Sequence, residues 1–381
     1  MGELLIAAGP GEWRAAWVAD GAAIELYVER GDTKPPGSRH LGRVVRVVTG
    51  LDAALVDIGD ERPGFLPLRD VPAGVKAEEG ARIVVTVRRE AWADKAPRLA
   101  AMPPGFGADA GAGREPPAQL SPAPGLAPAL ALRLPAAPSR IVADDAAPLA
   151  ALRSTFPAAS VAYEPAGDWP IDLDAAFAAA LAPSLVLAQG VAVHVDEVRA
   201  ATLIDVDTGT PVSGGSARAA LAANRAAASV IARELRLRNI GGAVTIDFVG
   251  LERRDHRDQI RRTLEAALAG DPAAPQVLGW TRLGHLELTR VRRGRSLADA
   301  MLAPGERAVL PLALAHEALR GVLRAARANP AANWRLSVPR AVEAALRGPA
   351  AAALAALETR LGRRLAIVAE PRREGFDIAP L

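Results

Sequence analysis

Two aspartates closing apolar runs are the residues best suited to chemistry in this sequence. In TLIDVDTGTPVSGG, Leu203-Ile204 leads into Asp205-Val206-Asp207, and Thr208, Gly209 and Pro211 then break the run. A second run, Ala243-Val244-Thr245-Ile246, opens after Gly241-Gly242 and ends on Asp247-Phe248. Both read as buried strands with an acid at the carboxyl end. Convergent carboxylates hold Mg²⁺, a hard cation that keeps several waters and meets substrate phosphates. Asp207, on the same strand as Asp205, adds a third. An Asp after an apolar strand is equally a helix cap or turn former, and spacing alone leaves both readings open.

The elements between the aspartates must bring them together. Ser216 to Arg238 has Ala, Leu and Ile at helical spacing, with Gly241 as the stop. A helical connection can set two strands side by side in one sheet. Their carboxylates then project from one edge, where α/β sheets hold their sites.

The chain has 381 residues, enough for about two to four domains. Half of them are apolar, as in a globular protein, and the formal charge of +3 is too balanced to prove a polyanion partner. Lysine occurs only at Lys34, Lys76 and Lys95, so the positive charge is arginine, which suits bidentate phosphate contacts. There is no cysteine, hence no disulfide, thiolate zinc site or cysteine nucleophile. The histidines form no close pair, which argues against a zinc enzyme. No run reaches membrane-spanning length without charge, and a cytoplasmic location is expected.

In chain order, strands are expected over residues 3–8, 13–19 and 23–29, then 40–48, 53–58, 64–68 and 82–89. The later four, with room for a fifth, suggest a small barrel. Phe65 is either a base-stacking residue of that barrel or part of its core. Residues 97–138 are rich in proline and alanine and read as a linker or irregular loop. Strands and helices follow at 140–143, 147–156, 159–163 and 173–181. A hairpin runs from Leu185–Leu187 to Val191–Val195 across Gln189-Gly190. Beyond Asp247, a helix over 253–268 carries Arg254, Arg257 and Arg261 on one face. The segment RVRRGR, with Arg290, Arg292 and Arg293, is the densest basic run; it suits an RNA backbone or a solvated face. The remaining elements, from a helix at 312–328 to a final strand at 364–369, make a small α+β module.

Taken together, IDVDTG, IARELRLRNIGG, TIDFVG and TRLGHLELTRVR resemble the catalytic stretch of the ribonuclease E/G family. GRVVRVVTGLDAALVDIGDERPGFLPL upstream is similar to that family's S1-like OB barrel, and IDLDAAFAAAL and RLGRRLAIVAEP fit as well. The resemblance implies an α/β and α+β multidomain protein. Its parts would be an RNase H-like domain in residues 1–38 and 139–180, interrupted by an S1-like OB barrel in 39–97. A linker in 98–138 would replace the family's 5′-monophosphate sensor. A DNase I-like catalytic domain in 181–303 and a small C-terminal domain in 304–381 would follow.

The resemblance also implies a mechanism. The family's catalytic aspartates match Asp205 and Asp247, which bind Mg²⁺; a family asparagine is Asp207 here. The metal activates water for attack on single-stranded, typically A/U-rich RNA, leaving 5′-phosphate and 3′-hydroxyl ends. Leu55 stands where the family barrel often has a second stacking Phe, and Gly250 where it usually has another Asp. These departures leave a catalytically weak or inactive RNA-binding relative as the alternative. With no cysteine the family's zinc link between protomers is excluded, and with it a zinc-linked tetramer, which leaves room for a homodimer through other surfaces.

Overall fold

A computed structural model describes the chain except for Met1 and residues 32–35, 61, 92–95, 106–112, 122–124, 188–189 and 209–216. The expected strand break at Gly209 and Pro211, the Gly214-Gly215 pair, the helix start at Ser216 and the turn residue Gln189 lie outside the described residues. The chain opens with β1 (Glu3–Ala8), β2 (Glu12–Ala19), β3 (Ala22–Arg30), β4 (Arg39–Val48), β5 (Ala53–Asp57), β6 (Gly64–Pro67), β7 (Arg82–Arg89), β8 (Arg98–Ala101) and β9 (Ala118–Gln119). Next come α1 (Leu126–Ala131), β10 (Arg140–Ala143), α2 (Leu149–Thr155), β11 (Ser160–Tyr163) and α3 (Leu173–Leu181). The central part holds β12 (Ser184–Val186), β13 (Ala192–Glu197), β14 (Thr202–Asp207), α4 (Ala217–Leu237), β15 (Gly242–Asp247), α5 (Arg254–Leu268), β16 (Gln276–Trp280) and β17 (Leu286–Arg290). The chain closes with α6 (Leu297–Met301), α7 (Pro311–Ala328), β18 (Trp334–Val338), α8 (Arg340–Arg347), α9 (Ala351–Leu361), β19 (Ala366–Ala369) and β20 (Asp377–Pro380). Among the described residues no helix is long and apolar enough to cross a membrane.

The chain forms two compact units. The first comprises Met1–Gly9, Trp13–Val28 and Leu134–Leu314, the second Pro10–Glu12, Glu29–Arg133 and Ala315–Leu381. In the first unit one sheet has the order β11-β10-β1-β2-β3. β1 runs antiparallel to β2 and parallel to β10, which is parallel to β11. Leu4, Leu5, Ile6 and Ala7 are all buried, so successive residues of β1 are covered on both faces of this sheet. Leu5, Ala7, Ala16, Val18 and Val142 pack with Leu173 and Phe177 of α3.

The other sheet of this unit has the order β12-β13-β14-β15-β17-β16. Its strands alternate strictly. Val193, Val195, Ile204, Val206, Val244, Ile246, Leu286 and Leu288 are buried against Ile231 and Leu235 of α4 and Ile260, Leu264 and Leu268 of α5. Each such side chain contributes about 1.5–3 kcal/mol when fully buried. Between them Leu203, Asp205, Asp207, Asp247 and Glu287 are exposed. Among the described residues the sheet is therefore covered on one face only, and the aspartates rise from its other face rather than from the edge beyond the strand ends. Side-chain parity is the reason: Asp205 lies within β14, one position from the buried Ile204 and Val206.

Helix α4 also stops earlier than Gly241. Asn239 has φ of 52° and fills the left-handed position, while Ile240 N–H donates to the Leu235 carbonyl and Asn239 N–H to that of Arg236. Asn is one of the few residues besides Gly that tolerates this backbone, and its Nδ2 donates to the distant Arg295 carbonyl at 2.8 Å.

In the second unit β5, β6, β8, β7 and β4 pair in that order, and β4 pairs again with β5. The result is a closed five-stranded barrel that fits an OB-like domain. Its interior holds Val44, Ala54, Val56, Ile58, Leu66, Ile83, Val85, Val87, Leu99 and Ala101. The fifth strand is Arg98–Ala101, drawn from the stretch expected to be a linker. Ala118–Gln119 also pairs with β4, and Leu126–Ala131 is helical. A four-residue strand carries too little alternation to stand out from proline-rich surroundings. At the C-terminus a small sheet has the order β19-β18-β20. The expected final strand is thus followed by another, Asp377–Pro380, which runs antiparallel to β18.

Candidate active site

The parallel pairing of β14 with β15 sets Asp205 directly opposite Asp247. Adjacent strands lie about 4.8 Å apart, so the two carboxylates rise side by side from the open face. On the far side of Asp205 stands His194 of β13. His194 in turn faces Ser184 of β12, whose Oγ lies 2.7 Å from its Nδ1. On the far side of Asp247, His285 brings Nε2 to 3.6 Å from Oδ2 of the aspartate. A single row thus crosses the sheet: Ser184, His194, Asp205, Asp247, His285. Asp207 stands further along β14, opposite Ala192. It shares the exposed face with the row but is not a member of it.

Three contacts hold the row in place. Asn224 is fully buried on α4; its Nδ2 donates to the Val249 carbonyl at 2.7 Å, and its Oδ1 accepts from the Val249 N–H at 3.1 Å. That clamp fixes the chain immediately after Asp247. The hairpin ahead of β17 fixes His285, since Thr281 N–H donates to its carbonyl at 2.8 Å and its own N–H donates to Thr281 Oγ1 at 3.1 Å. Finally, Arg292 lies directly over Gly241 and Gly242. A Cβ on Gly242, whose φ is 101°, would fall 2.4 Å from the Arg292 guanidinium. The glycine pair therefore admits this close approach rather than ending the helix.

Sequence reasoning did not single out Ser184, His194, Asn224 or His285. His194 alternates with Val193 and Val195 and so had to face away from the core. Asn224 is polar on the helical stripe that includes Ala220, Ala227 and Ile231, and a polar residue there needs a partner. His285 carries no such signal, because its place follows only from the register of β15 on β17.

The basic run divides. Arg290 is buried, with Nε and Nη2 bonded to the two carboxylate oxygens of Asp271 at 2.7 and 3.0 Å and Nη1 to the Ile240 carbonyl at 2.7 Å. This is an interior fastening, which corrects the expectation that Arg290 meets an RNA backbone. Arg292 is exposed, and Arg293 is half-buried with Nη2 3.5 Å from the Leu134 carbonyl. These two keep the surface position that phosphate contact needs.

Phe65 lies in the other unit, half-buried on the outside of the barrel. It too belongs to a cross-strand row: Arg46 pairs with Leu55, Leu55 with Phe65, Phe65 with Arg98, and Arg98 with Arg89. An apolar pair is thus flanked by arginines, one of which, Arg98, contacts Asp70 at 3.1 Å. Neighbouring Leu66 supplies the core contact from the same strand, so the outward side of Phe65 is the one left to a ligand.

The donor set fits a divalent cation. Asp205 and Asp247 are adjacent, carry formal negative charge and are exposed enough for a bound ion to keep waters. Among the described residues no group of three or more His, Cys, Asp or Glu side chains is placed to hold a metal ion, so the protein would offer such an ion only the two carboxylates. Two protein carboxylates plus water is the arrangement a Mg²⁺-type site uses.

Residues 170–293, which contain the whole row, match the sequence model of the ribonuclease E/G family. Ribonuclease G of Escherichia coli (strain K12) is 31% identical over 193 residues, which are 48% of this chain and 40% of that protein. Ribonuclease G of Salmonella typhimurium (strain SL1344) matches to the same extent. Ribonuclease E of Nostoc sp. is 38% identical over 128 residues, 33% of this chain and 19% of that protein. The chain therefore spans well under half the length of the relatives it matches.

Proposed function

We propose, on the premise that residues 170–293 belong to the ribonuclease E/G family, that this protein is a metal-dependent endoribonuclease acting on single-stranded RNA. The observation that carries the reading is the register of β14 on β15, which sets Asp205 against Asp247 on an open sheet face within the matched stretch. Asp205 and Asp247 would hold a divalent ion such as Mg²⁺. Once bound, the ion supplies a water of lowered pKa and neutralises charge on the scissile phosphodiester. Asn224 keeps Asp247 in register by fixing Val249. Asp207 adds negative charge beside the ion and strengthens its attraction. The products carry 5′-phosphate and 3′-hydroxyl ends.

The barrel serves as the RNA-holding part. Unpaired bases stack on Phe65 and lie over Leu55, while Arg46, Arg98 and Arg89 stand at phosphate positions on either side. Arg292 and Arg293 add positive charge in the catalytic unit. The strand order of the first sheet, with β1 antiparallel to β2 on one side and followed by the parallel β10 and β11 on the other, supports an RNase H-like reading of that part. The second reading, an RNA-binding relative without activity, draws on Leu55 and Gly250, two departures from the family pattern.

The test is cleavage of an end-labelled, A/U-rich single-stranded RNA in Mg²⁺ and in EDTA, with the native protein and Asp205→Asn. Cuts that need both the ion and Asp205 are the expected result. Binding without cutting by either protein would move the assignment to the RNA-binding reading.

A further inference from the structure

One member of the row has no part in holding an ion. His194 stands opposite Asp205, and its Nδ1 lies 2.7 Å from Ser184 Oγ on the strand to its other side. Among the described residues Ser184 is the ring's one hydrogen-bond partner. That bond fixes which way the ring faces. The two nitrogens of an imidazole lie on opposite sides of the line through Cβ and Cγ. With Nδ1 turned toward β12, Nε2 is turned toward β14 and stands above the row on the side of Asp205. The bond also sets the tautomer: when the Ser184 hydroxyl donates to Nδ1, the ring proton sits on Nε2. A phosphate oxygen, which only accepts, selects this arrangement.

The charge of this face calls for such a donor. The outward-facing residues of β13, β14 and β15 include Asp205, Asp207 and Asp247, and also Asp196, which Arg307 answers at 2.7 Å. Among the described residues of these three strands, His194 is the one outward side chain with a nitrogen donor. A phosphodiester brought among the carboxylates is repelled unless positive charge or a held N–H meets it. We propose that His194 donates its Nε2–H to a non-bridging oxygen of the RNA phosphodiester seated at the Asp205–Asp247 pair, and that Ser184 positions the ring for this contact. The inference rests on the endoribonuclease reading above and deepens it, by naming a side chain that touches the substrate phosphate. A donor already aimed at the phosphoryl oxygens needs no reorganisation as they gain charge. The hydroxyl of Ser184 keeps the ring from turning its carbon edge to the substrate.

Amide side chains separate the two ring nitrogens. The amide nitrogen of asparagine falls near the place of Nδ1, and that of glutamine near the place of Nε2. His194→Asn therefore keeps the bond to Ser184 and loses the outward donor, while His194→Gln does the reverse. Both variants and His194→Leu are made in the full chain and checked for folding by urea unfolding. Affinity for an A/U-rich single-stranded RNA is measured by fluorescence anisotropy in EDTA, and cleavage of the same RNA, end-labelled, in Mg²⁺. His194→Leu and His194→Asn are expected to lose about tenfold in kcat, less than the hundredfold or more of a donor in an enclosed oxyanion site. Both also bind RNA more weakly, and His194→Gln recovers most of the two losses. Ser184→Ala falls between, because the ring is then free to turn. A role confined to supporting the β12–β13 hairpin gives the opposite order, with asparagine the better replacement. That order, or native values in all three His194 variants, overturns the inference and leaves the two aspartates standing. A native protein that binds RNA in EDTA and does not cut it in Mg²⁺ overturns the endoribonuclease reading, and the order of the affinities then decides on His194 by itself. A native protein that binds no RNA overturns both.

Discussion

Asn224 is the residue whose replacement tests most sharply how the site is held. It touches neither the carboxylates nor, on this reading, the RNA. Its side chain is fully buried, and it answers both backbone groups of Val249, at 2.7 and 3.1 Å. Asn224→Ala leaves that N–H and that carbonyl without their partner in a half-buried position. At about 1–3 kcal/mol for each unsatisfied group, discounted for partial access to water, the loss is about 2–4 kcal/mol. Asn224→Asp is the informative companion. It keeps an acceptor for the N–H but sets a buried charge against the carbonyl, so it costs at least as much as alanine despite its near-identical shape. Urea unfolding followed by far-ultraviolet circular dichroism measures the first effect. Cleavage at saturating RNA, compared with RNA affinity from fluorescence anisotropy, measures the second: turnover falls and affinity holds, because only Asp247 is displaced. A stability change below about 0.5 kcal/mol in Asn224→Ala, or an aspartate variant as stable as the native protein, would refute the clamp.

Three other outcomes follow from the same contacts. Arg290→Ala strands the buried Asp271 carboxylate and costs about 3–5 kcal/mol in the unfolding midpoint analysis, yet leaves RNA affinity of the folded protein unchanged; a salt-sensitive loss of affinity would return Arg290 to the RNA surface. Phe65→Ala weakens single-stranded RNA binding by about 1–3 kcal/mol in anisotropy titrations, whereas lost stability with unchanged affinity would make it a core residue. Burial raises the Glu29 carboxyl above its ordinary value of 4.5, by more than the Arg133 ion pair at 2.6 Å lowers it. The group's contribution to stability is therefore full below that ordinary value and is lost as pH rises through the raised one. Urea midpoints taken from pH 4 upward fall across that window in the native protein and are flatter in Glu29→Gln; identical slopes would count against it.

What could be read from the chain and what could not divide along one physical line. Local periodicity carries its own evidence. Leu173–Leu181 is a helix with the bounds its spacing implies, and the apolar runs around Asp205 and Asp247 are strands. The neighbourhood of the two aspartates was legible for the same reason, since a helix between two strands constrains them to pair in parallel. Parity along a strand was legible too, but easily overruled by composition. RVRRGR looks like a single basic cluster, yet Leu286, Leu288 and Arg290 alternate, and the alternation sends Arg290 to the core face while Arg292 falls beyond the strand. Arg98–Ala101 was hidden in the same way, with Leu99 and Ala101 facing inward among residues whose proline and alanine content suggested no strand. Register is the step that local pattern does not supply. His285 and Asp247 become neighbours only because β15 lies antiparallel to β17 with Ile246 opposite Leu286. A shift of a single residue would turn Glu287 or Arg290 to other faces and separate the histidine from the aspartate. The buried alternation of Leu286 and Leu288 against Val244 and Ile246 resists that shift, so the apolar face of the sheet is what determines which groups meet on the polar one.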